Sequence, residues 1–231
     1  MASAIITGGS EGLGRELAAS LSQLGWQVII DARHAEGLDR AAVDLGDHVL
    51  GVVGDVTDAS HRRALVEAAV ARGPLELVVN NASTLGPLPM PTLDAYGLDD
   101  WRQVFEVNVV APLALTQLAL PALEANRGTV VNITSDAGVE GYEGWGGYGS
   151  SKAALEQLSR VLAAEHPDLS VFWVDPGDMR TQMHQEAFPD EDISDRPPPE
   201  HSVPGLLALI EGELPSGRYR ARELASYEVT T

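Results

Sequence analysis

Tyr148 and Lys152 stand four residues apart in the glycine-rich stretch Gly141 to Ala154, GYEGWGGYGSSKAA. On a helix, positions i and i+4 share a face, so this spacing lays the ammonium beside the phenol. A phenol is a weak acid, with an ordinary pKa of about 10, and a close positive charge stabilises its phenolate. The pair is therefore a candidate proton donor and acceptor near neutral pH. Tyr-x-x-x-Lys alone is a weak pattern that arises often by chance. What sharpens it is that Lys152 is the only lysine in the 231-residue chain; every other position of that kind is arginine. A compact ammonium offers a point charge that the broad guanidinium fork does not imitate. Gly141, Gly144, Gly146 and Gly147 on the approach let backbone pass close to a ligand.

A second constellation is the run Thr7-Gly8-Gly9-Ser10-Glu11-Gly12-Leu13-Gly14. It follows the short apolar segment Ala4-Ile5-Ile6 and precedes Leu13, Leu17, Leu21 and Leu24, which step at helical spacing. A glycine-rich turn between a strand and a helix permits close approach of a pyrophosphate, which the helix N-terminus favours electrostatically. Its spacing is G-x-x-x-G-x-G rather than the commoner G-x-G-x-x-G, and a Gly-rich turn can be only a turn. Three further groups sit where other strands end: Asp55-Val56, Asn80-Asn81-Ala82-Ser83 and Ser135. Taken singly, an Asp in a loop or a Ser after a strand reads as a cap, and an Asn in a helix such as Asn108 reads as solvent-facing. Pro176-Gly177 taken singly reads as a turn.

The elements that would position these groups follow from periodicity. Ala4–Ile6, Val28–Ile30, His48–Val53, Leu75–Val79, Thr129–Ile133 and Ser170–Val174 read as strands, and Gly217–Arg222 as a seventh. Between them lie helices from about Leu13 to a C-cap at Gly25, around Asp39 to Leu45, Ser60 to Ala71, a long one from about Asp99 to Ala125, Tyr148 to Glu165, and Val203 to Ile210. Near-continuous apolar strands alternating with helices predict an α/β fold: a three-layer doubly wound parallel sheet of about seven strands with helices on both faces. Ligands of such folds sit at the carboxyl ends of the strands, where each of the motifs falls. One domain over 1–231 is expected, with the polar, proline-rich segment at about 178–201 either a substrate lid or without fixed structure.

Composition narrows the partners. A net charge of -19 argues against nucleic acid and against anionic membrane surfaces. The absence of cysteine excludes disulfides, thiol catalysis and Cys-ligated metals. The six histidines (34, 48, 61, 166, 184, 201) show no i, i+4 pairing and read as surface or loop residues, so no metal site is expected. The most apolar stretch, Val107 to Leu123, is interrupted by Asn108, Pro112, Thr116, Gln117 and Pro121, too broken for a membrane span. An apolar strand begins within four residues of Met1, which leaves no room for a cleavable signal peptide, and a cytoplasmic location is expected.

The order of these motifs resembles that of the short-chain dehydrogenase/reductase family: T-G-x-x-x-G-x-G after the first strand, Asn80-Asn81-Ala82, Asn108 within a helix, Ser135, then Tyr148 thirteen residues on and Lys152. The resemblance runs from the first strand to about Thr181. It implies that Tyr148 is the catalytic acid/base, that Lys152 holds the nicotinamide ribose and lowers the Tyr pKa, that Ser135 donates to the substrate oxygen, and that Asn108 helps hold Lys152 and a water-linked proton path. It further implies cofactor contacts at Gly8, Ser10, Gly12, Leu13 and Gly14, at Asp55 and Val56 around the adenine, and at Asn81 and Ala82. Pro176, Gly177, Met179 and Thr181 would hold the nicotinamide end. Ser83 replaces the family's glycine. Counting from Gly14 at the family's spacing lands on Ala32, followed by Arg33, while Asp31 falls one residue early, where alternation turns it elsewhere. A carboxylate at that place binds the ribose hydroxyls of NAD, whereas an Arg accepts a 2′-phosphate. NADP(H) is therefore preferred, with NAD(H) possible and Glu11 a counter-argument.

The implied activity is interconversion of a small-molecule carbonyl and its alcohol. A dinucleotide-binding sensor on the same fold would have no need of the four proton-transfer residues; a lyase or epimerase would keep them. The resemblance implies a homo-oligomer, dimer or tetramer, although the tail Gly217 to Arg222 departs from the family's usual Asp-Gly-Gly ending. The substrate pocket is expected from residues 136–147 and 83–97 and the lid, with Tyr142 and Trp145 as flat apolar surfaces. Glu140, Glu143, Asp178 and Glu186 would give it a negative field that disfavours phosphorylated or carboxylate substrates.

Overall fold

The computed structural model describes residues 1–224; positions 225–231 of the expected domain lie outside the described residues. Strands β1 (Ser3–Ile6), β2 (Gln27–Ala32), β3 (Val49–Val53), β4 (Leu75–Asn80), β5 (Thr129–Ile133), β6 (Ser170–Asp175) and β7 (Gly217–Arg220) form one sheet in the order β3-β2-β1-β4-β5-β6-β7. Every neighbouring pair is parallel. The strand order reverses between β1 and β4, and that is where a crevice opens at the carboxyl ends.

Alternation along the strands explains the two layers of helices. Ala4 and Ile6, Val28 and Ile30, and Leu77 and Val79 point to one face. There they meet α1 (Gly12–Gln23), α2 (Ala35–Leu45), α8 (Val203–Glu211) and α9 (Ala221–Leu224). Ile5, Ile29 and Val78 point to the other face, under α3 (Ala59–Arg72), α5 (Ala111–Asn126) and α6 (Gly146–Glu165). Both faces are buried, so the strands carry apolar residues on both sides rather than alternating with polar ones.

Several boundaries differ from the sequence expectation. Gly25 sits one position beyond the α1 cap, Leu24, at φ +86°. The single long helix expected from Asp99 to Ala125 is α4 (Leu98–Phe105) and α5, joined by a π turn over Glu106–Val110 that contains Asn108. By length and mean hydropathy (1.4) the run Leu98–Asn126 is long and apolar enough to cross a membrane, in spite of its prolines. In the fold Leu115, Ala119 and Leu123 of that run fill the core beneath the sheet. The segment 178–201 contains a short helix, α7 (Gln182–Ala187), and leads into a 3-10 turn at Pro199–Ser202. The expected seventh strand stops at Arg220, and α9 follows it directly.

Leu17 on α1 is 1% exposed within the first core, whereas Val43 on α2 is 80% exposed. Leu17→Ala is expected to cost about 3 kcal/mol of unfolding free energy, from lost transfer and a residual cavity. Val43→Ala should change it by less than about 0.5 kcal/mol. Urea titration of both variants checks the pair, and equal effects would contradict the packing described.

Candidate active site

A cleft of about 640 Å³ runs along the carboxyl ends of the strands. Its floor at one end is the turn between β1 and α1. Gly8 and Gly12 adopt φ of +65° and +55°, which side-chain-bearing residues avoid. A Cβ at Gly14 would lie 2.5 Å from the Gly8 carbonyl oxygen and 2.6 Å from Asn81 Nδ2. The turn therefore presents backbone, and α1 opens onto it with no side-chain cap and no acidic residue in its first turn. Uncapped amides at the start of a helix favour an anion. This cradle fits a dinucleotide pyrophosphate.

The turn is held from behind by Asp31. Its Oδ1 accepts from the Gly8 amide at 2.7 Å, its Oδ2 meets His61 Nε2 at 2.9 Å, and its carbonyl accepts from the Gly9 amide at 3.0 Å. His61 is buried on α3, which corrects the reading of all six histidines as surface or loop residues. Strand alternation is the cause: Asp31 shares the face of Ile29, toward α3. Arg33, two positions on, is exposed, lines the cleft and makes no ion pair among the described residues. Nearby, Asp55 lines the cleft. Burial acts to raise its pKa, but the amide and hydroxyl of Thr57, each 2.8 Å away, hold it below the usual carboxylate range, helped by Arg33 and His61. Val56 lines the cleft beside it and accepts from Arg62 through its carbonyl.

Asn81 joins the two loops of the crevice. Its Nδ2 donates to the carbonyls of Thr7 (2.8 Å) and Gly8 (3.1 Å), while the amides of Asn81 and Ala82 both donate to Thr7 Oγ1 at 3.0 Å. On the far side, Gly177 has φ +74° and its amide donates to Asp175 Oδ1 at 2.9 Å. The Pro176 carbonyl is fixed by Ser202 Oγ at 2.8 Å. Thr181 caps α7 and stands over the glycine turn, its Cγ2 3.6 Å from where a Gly12 Cβ would be. Ser10, Leu13 and Met179 line the cleft as well.

At the centre, Tyr148 and Lys152 are both buried on α6 and both reach the cleft, with Lys152 Nζ 5.4 Å from the Tyr148 ring centroid. Nζ donates to the Ile133 carbonyl at 2.8 Å and has no carboxylate partner among the described residues. Burial pushes the Lys152 ammonium down to about 7. Burial also pushes the Tyr148 phenol above its usual range; a hydrogen bond with Ser135 opposes this, and the charges of Asp136 and Asp175 add to it. In this structure the phenol is thus raised rather than lowered, because desolvation is the largest influence on it.

Ser135 lines the cleft, and its hydroxyl donates to Asp136 Oδ1 at 2.9 Å. Asp136 Oδ1 also accepts from the Ala137 amide at 2.8 Å, and Oδ2 accepts from Tyr142 Oη at 3.0 Å. Tyr142, expected as an apolar pocket surface, is instead exposed and spends its hydroxyl on Asp136 and Glu140. Asn108 is buried and uses all four of its hydrogen-bonding positions. Oδ1 accepts from Ser83 Oγ and the Thr84 amide, and Nδ2 donates to the Thr84 carbonyl and Ser151 Oγ, at 2.9–3.1 Å. It clamps the loop after β4 to α6, next to Lys152 in the chain at Ser151. Ser83, the departure from the family's glycine, is one of its partners.

Of the expected catalytic and cofactor-contact residues, all but Gly14 and Asn108 line the cleft; Gly14 lies beneath the turn and Asn108 behind α6's first turns. Of the acids expected around the pocket, Asp178 lines it, and Glu140, Glu143 and Glu186 do not. Sequence reasoning missed His61, the bonds of Asp31 to Gly8 and His61, the bond of Ser135 to Asp136, and a charged network behind the site. Glu156, 1% exposed and one helical turn beyond Lys152, accepts from Thr134 Oγ1, Arg160 and Arg218 at 2.9–3.0 Å. Arg218, on β7, also donates to the Ser135 carbonyl at 3.3 Å and lies 3.6 Å from Asp175. The i+4 step from Lys152 to Glu156 was available in the sequence; the reach of Arg218 was not.

Residues 2–192 match the family model for short chain dehydrogenase. The chain is 33% identical over 217 residues to the uncharacterized oxidoreductase YciK of Escherichia coli (strain K12), covering 89% of this chain and 84% of that protein. It superposes on the crystal structure of the short chain dehydrogenase/reductase YIR035C from Saccharomyces cerevisiae with a TM-score of 0.89 at 26% identity, over 98% of this chain and 99% of that one. It superposes equally on a short chain dehydrogenase from Escherichia coli CFT073 complexed with NADPH, with a TM-score of 0.88 at 30% identity, over 95% and 96% of the two chains.

The depressed Lys152 pKa carries a stability signature. Between about 7 and the ordinary 10.5, the unfolded chain holds a proton there that the folded chain does not, so unfolding free energy rises with pH through that window. The contribution has a slope of up to about 1.4 kcal/mol per pH unit and flattens below 7, where both states are protonated. Urea unfolding of wild type and Lys152→Met from pH 6 to 10 should show their difference climbing across that range; a constant difference would refute the assignment.

Proposed function

The chain belongs to the short-chain dehydrogenase family of oxidoreductases, and on that footing we propose that it interconverts a carbonyl and an alcohol with NADP(H), using Tyr148 as acid and base. The observation that carries the reading is the meeting of Tyr148, Lys152 and Ser135 on one wall of the cleft, at the end away from Arg33. The glycine turn and the start of α1 would hold the pyrophosphate, Asp55 and Val56 would border the adenine, and Gly177 to Thr181 would border the nicotinamide.

When bound, the dinucleotide supplies or accepts the hydride. The protein handles the proton. Tyr148 Oη gives a proton to the carbonyl oxygen in reduction and takes it back from the alcohol in oxidation. The Ser135 hydroxyl turns from Asp136 Oδ1 to the substrate oxygen and stabilises the charge that develops there. Lys152 keeps a positive charge available beneath the phenol, and its titration near 7 lets it gain or lose a proton at physiological pH.

The preference for NADP(H) rests on a difference between two neighbours. Asp31 is committed to Gly8 and His61, so the carboxylate at the end of β2 is not free to take the ribose hydroxyls or repel a phosphate, although Glu11 also lines the cleft. Arg33 stands exposed at the cleft without an ion-pair partner among the described residues, as a 2′-phosphate requires. The NADPH complex of the superposed Escherichia coli protein supports the same choice.

Two measurements test the reading. NADPH binding followed by fluorescence should weaken about tenfold or more in Arg33→Ala, with NADH binding changed less than about twofold. Reduction of carbonyl compounds, followed by loss of NADPH absorbance, should fall by at least about 100-fold in kcat/KM in Tyr148→Phe while NADPH affinity holds. Binding with no turnover of any carbonyl, and no effect of Tyr148→Phe, would point instead to a dinucleotide sensor.

A further inference from the structure

The end of the cleft beyond Tyr148 is walled by the rings of Trp145 and His184, drawn from two separate elements, with Phe188 packed against both. Trp145, at the start of α6, packs edge-on to Tyr148 at 5.6 Å and lies 5.7 Å from Phe188, tilted by 39°. Phe188, just past α7, lies 4.9 Å from the His184 ring at the same tilt. Leu85, Val107, Met183 and Ala187 complete this end of the cleft. Leu85, Met183 and Ala187 pack in one apolar cluster with Tyr148 and Trp145. A thioether and flat rings make a soft wall that accepts another ring edge-on or offset.

The charge around this end is negative. Asp136 and Asp178 both line it, and neither is paired with an Arg or Lys among the described residues. Of the cleft's cations, Arg33 lies at the other end, Lys152 lies under Tyr148, and Arg180 reaches the Ser194 carbonyl at 3.4 Å. An anionic substituent seated here would face two carboxylates.

Resting on the carbonyl–alcohol reading above, we propose that the substrate is an uncharged aryl ketone or aldehyde, its ring held against the wall of Trp145 and His184 that Phe188 supports, and its carbonyl oxygen at Tyr148 and Ser135. In the reduction the C=O π bond opens. The carbonyl carbon gains a hydride from the reduced nicotinamide dinucleotide, and the oxygen gains the Tyr148 proton, which solvent then replaces. The products are the aryl alcohol and the oxidised dinucleotide.

The test compares three ketones with the full chain and NADPH: phenyl methyl ketone, its cyclohexyl counterpart and its para-carboxylated derivative. The phenyl compound should exceed the cyclohexyl one about tenfold in kcat/KM, the size of an aromatic pair's advantage beyond simple burial. The carboxylated compound should fall at least about tenfold below the parent. Trp145→Leu should bring the phenyl-to-cyclohexyl ratio close to one. Because Trp145 begins α6, Phe188→Leu is the second variant, and it should lower the same ratio while leaving NADPH affinity unchanged. Calorimetric titration of 1-phenylethanol into the NADP-loaded protein should show the same loss in both variants. A cyclohexyl ketone reduced as well as the phenyl one, or a ratio unmoved in both variants, overturns this inference and leaves the carbonyl–alcohol reading intact. A protein that binds NADPH and reduces none of a broad set of aryl and aliphatic carbonyls takes down both.

Discussion

The site depends on a steric constraint at the crossing of two strands. The carboxyl ends of β1 and β4 are tied by Thr7 and Asn81, whose hydrogen bonds satisfy backbone groups that the sheet ladder leaves open. The tie is short, and it leaves no room for a Cβ at Gly14 between the Gly8 carbonyl and the Asn81 amide. With side chains excluded, the turn is lined by backbone N–H groups at the start of a helix. That is why an anion-binding cradle forms at this place in the sheet and at no arbitrary loop. Asp31 completes it from below, its carboxylate held by the Gly8 amide and His61, while Arg33 lines the cleft without an ion-pair partner among the described residues.

The proton-transfer centre is built on the opposite principle, by burying charge. Lys152 lies inside the protein with one carbonyl for company, and Tyr148 lies above it near two carboxylates, Asp136 and Asp175. Each group's charged form is disfavoured by desolvation, so the two pKa values move apart: the ammonium becomes the stronger acid and the phenol the weaker one. Behind them the protein compensates where it needs fixed charge. Glu156 is fully buried but takes three donors, and Arg218 ties it to Asp175 and to the Ser135 carbonyl. A buried carboxylate is tolerable only when its oxygens are satisfied in this way. The last strand thereby braces the segment that presents Ser135, although it lies 83 residues away in the chain.

Much of this was legible in the residues. The glycine spacing, Ser135 and the Tyr148–Lys152 pair could be read because strand and helix periods place them without reference to anything distant. Period two also indicated that the Asp31 side chain turns elsewhere than that of Ala32, and the structure has it on Gly8 and His61. Asn108 was legible as a position, but its π turn and its four partners were not, because they depend on the loop after β4 and on α6. His61 was misread as a surface group, since nothing local shows that a helix histidine will pack under β2 against a carboxylate thirty residues earlier. Tyr142 looked like pocket wall for a related reason: composition showed an aromatic ring, and only packing showed its hydroxyl drawn outward to Asp136 and Glu140.

By itself the sequence determined the alternation of apolar strands and helices, the side-chain-free turn, and the residue types brought to the strand ends, because these follow from periods of a few residues and from covalent geometry. The tertiary structure alone decided how those groups are charged and what surrounds them. Burial depth, the Arg218–Glu156 brace and the packing of Phe188 against Trp145 and His184 arise from contacts that the local sequence pattern does not set. Desolvation and dielectric belong to the assembled interior, and no stretch of residues carries them alone.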